Sequence, residues 1–194
     1  MPVDASSFVF IIALAGIVNG LGIVRWLTVF AEYLRLRSTV RVVHYWVFTL
    51  SAGLQFLLHI LFWWSLWTLR GDATINFLSY LYVLSGPILL YLGTALLTPN
   101  VDGDKLDLRQ HYFAARSVFS NVLFLLWLWA LFVSPMLRGS FAPTAPVFIV
   151  FLANALVMRA TTNATIQGIS AIVNWVLFVA LIAHYFLQLG GPST

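Results

Sequence analysis

An all-α integral membrane protein, built as one bundle of six transmembrane helices with a short fifth span, is the fold class this sequence predicts. Two observations carry it. Of 194 residues 61% are hydrophobic and only 8% charged, with mean hydropathy +0.95, against roughly 25% charged residues in soluble domains. The apolar residues also fall into six runs separated by short charged or Pro/Gly-containing connections. A hydrocarbon core about 30 Å thick needs about 20 apolar residues at 1.5 Å each. The runs lie at about 8–31, 43–69, 74–97, 113–136, 145–159 and 167–188, and nothing between them is long enough for a soluble domain, so residues 1–194 read as a single polytopic membrane domain.

Charge sets the expected orientation. Arg35, Arg37, Arg41, Lys105, Arg109, Arg116 and Arg159 sit in the odd connections, whereas the even ones hold only Arg70 and Arg138. Basic residues collect on the cytoplasmic side. Both termini are therefore expected outside, most simply across a bacterial inner membrane, and the net charge of +4 reads as an orientation signal, with no nucleic-acid partner expected.

The first run follows MPVDASS, which carries Asp4 and no basic side chain, so it reads as a spanning helix in place of a cleaved signal. Gly16 and Gly20, with Asn19 between them, form a small-residue packing face. Arg25 lies toward the inner interface, and the helix should continue through AEYLRLR, where Glu32 can pair with Arg35. In the second run, Tyr45 and Trp46 stand 17 to 21 residues before Trp63, Trp64 and Trp67, roughly 26 to 31 Å in a helix, which is the separation of two interfacial aromatic belts. Gln55 and His59, one turn apart, fall inside the hydrocarbon zone.

The third run carries Gly86 and Pro87 near its centre, where proline removes a donor and kinks a helix. The connection 98–112 is charged and cytoplasmic, and its end, with Leu106, Leu108 and Tyr112 against Asp107, Arg109 and Arg116, reads as an amphipathic lead-in to the fourth run. Its Asp102, Asp104 and Asp107 read as a solvated acidic turn, and no metal site is expected. The fifth core, PVFIVFLANALVM, is short for a full span. The sixth helix presents Asn163, Gln167 and Asn174 on a polar face, then His184 near its outer end, while Asn121 and Asn154 add amides from the fourth and fifth.

Enzyme classes are narrowed by what is missing. No carboxylate lies mid-span, there is no cysteine, the one lysine is in a connection, and the HExxH, GxSxG, GxxxxGK[ST] and GxGxxG patterns are absent. No cofactor is expected. The expectation is a non-enzymatic channel or transporter-like protein for a small ion, proton or neutral solute, with Gln55, His59, Asn163, Gln167 and Asn174 lining the path and Arg25 as an electrostatic filter. Few polar residues per chain favour a homo-oligomer in the bilayer. Two other readings stand beside it: an accessory or assembly subunit covered by other membrane subunits, and a b-type haem protein ligated by His59 and His184.

Overall fold

The computed structural model describes residues 5–36, 40–66, 76–99 and 105–186, with the side chains of 5–11, 36 and 186 left aside. Trp67, Arg37, Arg70, Asp102 and Asp104 lie outside the described residues. Six α-helices follow in order: α1 Ala5–Leu36, α2 Trp46–Leu66, α3 Phe77–Leu97, α4 Leu108–Arg138, α5 Ala145–Ala160 and α6 Ala164–Leu181, the last running into a π-helical turn, Ile182–Phe186. Five are long and apolar enough to cross a membrane; α5, at 16 residues, is shorter. At 1.5 Å per residue α5 reaches about 24 Å, less than the hydrocarbon thickness. A multi-pass membrane protein is the class these helices indicate.

Pairs of contacting side chains give the helix directions. Phe48 meets His111 and Phe62 meets Trp129, so α2 and α4 run parallel. Trp46 packs on Gly168, and the Leu50 carbonyl accepts from Trp175, which gives α6 the same direction. Tyr82 pairs with Trp129 while Leu96 pairs with His111, so α3 opposes α4. Gly16 lies under Trp63, and Asn19 bonds to His59, so α1 opposes α2. The bundle is therefore up-and-down, with the odd connections together at one end. In it α2 packs against α1, α3, α4 and α6, and α5 lies between α4 and α6.

Two boundaries differ from the apolar runs for a physical reason. Arg41–Val43 (β1) and Lys105–Asp107 (β2) form a two-stranded parallel ladder, in register Arg41 with Lys105 and Val43 with Asp107. The all-α expectation thus misses a short strand pair that ties the first connection to the third. It holds the chain extended up to Val43, so α2 begins at Trp46 and not at 43. At the same end of the ladder, Asp107 accepts from the Gln110 N–H at 3.0 Å and caps α4, so the helix begins at Leu108, inside the stretch read as a charged connection. The extension of α1 runs to Leu36 with Arg35 3.7 Å from Glu32, and both side chains are exposed.

Membrane helices gain little from burying apolar surface against one another, since lipid is equally apolar; close packing and interhelical hydrogen bonds hold them together. Both are present. Trp127 stacks on Phe151 with ring centroids 3.8 Å apart, joining α4 to α5. Trp129 donates to the Tyr82 carbonyl at 2.7 Å while the Tyr82 hydroxyl donates back to the Trp129 carbonyl at 2.9 Å, a reciprocal lock between α4 and α3. Gly86, beside Pro87, is where the Trp129 ring rests, and both residues are buried inside α3.

Candidate functional site

Most of the buried polar side chains gather in two clusters, one on each side of α2. The first joins α1, α2 and α3. His59 is 0% exposed, and its Nδ1 lies 2.8 Å from Asn19 Oδ1 and its Nε2 2.8 Å from Thr94 Oγ1. The Asn19 amide is fixed in orientation because its Nδ2 donates to the His59 carbonyl at 3.1 Å. Oδ1 must then accept, so Nδ1 carries the proton and Nε2 receives the Thr94 hydroxyl. A neutral imidazole satisfies every partner. Such closeness demands a small neighbour: a Cβ on Gly22 would overlap the imidazole. One turn earlier on α2, Gln55 Nε2 donates to the Leu90 carbonyl at 2.8 Å, and its amide occupies the space where Gly93 has no side chain. Arg25 Nε donates to Thr98 Oγ1 at 2.8 Å, and Thr98 in turn donates to the Ala95 carbonyl.

The second cluster joins α4, α5 and α6 where α5 ends. The last carbonyls of any helix lack an intrahelical donor, and in hydrocarbon no water replaces it. Here Arg116 Nη1 donates to the carbonyls of Met158 at 2.9 Å, Arg159 at 2.8 Å and Thr161. Gln167 Nε2 donates to Met158 and Thr161 at 2.7 and 2.8 Å, and Gln167 Oε1 accepts from the Tyr112 hydroxyl at 2.8 Å. The guanidinium also opposes the negative end of the α5 dipole. Deeper in, Asn154 Nδ2 donates to Asn174 Oδ1 at 2.8 Å and to the Ser170 carbonyl at 3.0 Å.

Between the clusters lies a small cavity lined by Ser51, Gln55 and Asn174 among Leu54, Leu58, Phe119, Leu123 and Met158. Ser51, Gln55 and His59 follow one another at i, i+4 and i+8, so one buried stripe of α2 connects the cavity to the imidazole.

The residues expected along a path are thus distributed as follows. Gln55 and Asn174 meet at the cavity, and His59 adjoins it one turn along. Gln167 reaches the α5 carbonyls, and Asn163 is the N-cap of α6, accepting from the Thr165 and Ile166 N–H groups. Arg25 bonds Thr98 at the C-terminal end of α3. In the packing face, Gly16 meets Trp63 and Asn19 meets His59, whereas a Cβ on Gly20 would touch nothing within 4 Å. The two histidines considered for haem have different surroundings. Both nitrogens of His59 are engaged, so an axial bond would displace Asn19 or Thr94; His184 is exposed, edge-on to Tyr185 at 4.8 Å. Among the described residues, no group of three or more His, Asp or Glu side chains converges as metal ligands.

Thr94, Thr98, Tyr112 and Arg116 complete the clusters; sequence reasoning left Thr94 and Thr98 unnamed and gave Tyr112 and Arg116 no part in a site. Their signal was the i, i+4 spacing of Thr94 with Thr98 and of Tyr112 with Arg116, in each case a polar face at the odd-connection end of a helix. Compared with family models, curated proteins and solved structures, the chain has no match.

Proposed function

We propose that the chain is a non-enzymatic six-span protein of a bacterial inner membrane, with both termini outside, that lets a proton or a small neutral solute pass along the seam between α2 and α6. The observation that carries this reading is the cavity shared by Gln55 and Asn174, because it places amides from two helices against one small space, next to the Ser51–Gln55–His59 stripe. The described arrangement is a closed one: the imidazole and most amides are bonded across helices, and passage requires those bonds to exchange partners. Purified protein reconstituted in liposomes tests it, with an internal pH dye for protons and light scattering for neutral solutes. Flux above empty liposomes is expected for the wild type, with loss in Gln55→Leu and strong reduction in His59→Ala. Wild-type flux in both variants would sink the site assignment.

A second reading, an accessory subunit of a larger membrane complex or a homo-oligomer, is favoured by a different observation. Ile17, Leu21, Val24, Leu27 and Phe30 form an exposed apolar face along α1, the least buried of the five long helices. A photo-crosslinking residue at Leu21 or Val24 in native membranes separates the cases: lipid adducts alone leave α1 a lipid-facing helix, while a discrete protein adduct identifies a neighbour.

A further inference from the structure

The cavity holds an unbalanced set of hydrogen-bonding groups. Gln55 is 1% exposed, and because its Nε2 is committed to the Leu90 carbonyl, Oε1 is left buried with no partner. Asn174, 5% exposed, has the complementary excess. Its Oδ1 accepts from Asn154, but its Nδ2 donates only to Met158 Sδ at 3.5 Å. A thioether is a weak acceptor, and an amide nitrogen has two hydrogens. Across the same space Ser51 presents a hydroxyl. Two residues that carry an unfilled acceptor and an underused donor thus line one small cavity, with room for about one water-sized molecule.

We infer that this cavity is a specific site for a single water molecule, which donates to Gln55 Oε1, accepts from Asn174 Nδ2 and uses its remaining hydrogen on Ser51 Oγ. Three partners is the usual number for a buried water, and leaving the acceptor bare in a low-dielectric interior is costly. The water would make α2 and α6 continuous in hydrogen bonding, joining the His59 cluster to the Gln167 cluster through Ser51, which adjoins the Tyr112 hydroxyl. An ion does not suit the place, because neither sign of charge has a formal counter-charge among the lining residues. The inference does not depend on passage: a sealed bundle would hold the same water.

X-ray radiolytic footprinting of the wild-type protein in detergent tests it, because a bound water releases hydroxyl radicals beside the side chains that enclose it. Met158 lines the cavity and is only 1% exposed, so radicals formed in bulk solvent do not reach it. Prompt oxidation of Met158 is expected in the wild type, with a several-fold slower rate in Gln55→Leu, which removes the acceptor. Absence of Met158 oxidation in the wild type overturns the site, and so does an unchanged rate in the variant. Should Gln55→Leu fail to fold, a wild-type density map that resolves ordered waters decides the matter: a peak bridging Gln55 and Asn174 supports the site, and an empty cavity ends it. Liposome flux is measured separately, so a dry cavity and a non-conducting protein are distinguishable failures.

Discussion

Around His59, side chains bond chiefly to other side chains from three helices; around Gln167 and Arg116, they bond chiefly to the main-chain carbonyls that end α5. The difference teaches what a polar residue inside an apolar helix is for. In the first region the partners can be exchanged without exposing backbone, so the arrangement is able to have alternatives. In the second, most of the partners are main-chain carbonyls at a helix end, which have no intrahelical donor. The first region is therefore where movement costs least, and the second is where a short helix is fastened.

The largest expected effect breaks the second region. Arg116→Leu removes three hydrogen bonds to carbonyls near the end of α5, leaving Gln167 on two of them and none on Arg159, and should cost about 3 kcal/mol, since hydrogen bonds to a charged donor are stronger than neutral ones. Unfolding in mixed micelles measures it, and a loss under about 1 kcal/mol would mean that water or lipid headgroups cap the helix instead.

The first region should respond less. A double-mutant cycle between Asn19→Ala and His59→Ala isolates the bond between Nδ1 and Oδ1, and a coupling of about 0.6 kcal/mol is expected, the usual value for an interhelical hydrogen bond in a membrane. A coupling near 3 kcal/mol would erase the contrast between regions and make the imidazole as fixed as the guanidinium.

The smallest effect is at the α4 cap, outside the membrane. The Gln110 N–H and then the Lys105 ammonium hold the Asp107 carboxyl below its ordinary range. A lowered folded value means that the stabilisation is fully present above the unfolded pKa of about 3.9 and disappears as pH falls through the folded value. Thermal stability should be flat above about pH 5 and decline below, with a shallower decline in Asp107→Asn, which keeps a capping oxygen but does not titrate. Identical pH profiles would place the acid sensitivity elsewhere.

Much of the helical framework was legible because run length and bilayer thickness are the same measurement taken twice. The strand pair was not. RVV and KLD are too short to show alternation, and their pairing is a contact between residues far apart in the chain. The polar site was legible by residue type but not by partner. His59 was set beside Gln55 and paired with His184 as a haem ligand in one reading, yet its ring is held by Asn19 and Thr94, partners that one helix's own spacing does not reveal. Arg116 was read as an orientation charge and as part of the amphipathic lead-in to α4, not as a partner of α5. A carbonyl at a helix end leaves no mark on the sequence of the helix that serves it, so this role became visible only once α4 and α5 were packed together.

The ladder between Arg41–Val43 and Lys105–Asp107 also bears on biogenesis. A ribosome exposes the first strand well before the second, so its edge waits unpaired while α2 and α3 are being inserted. Pairing then succeeds only if that intervening hairpin has entered and returned, delivering both strands to the same compartment. A chain in which that hairpin failed to return would leave the edge of Arg41–Val43 without its partner, so a handful of backbone hydrogen bonds ties the first connection to the third only when both reach the same end of the bundle.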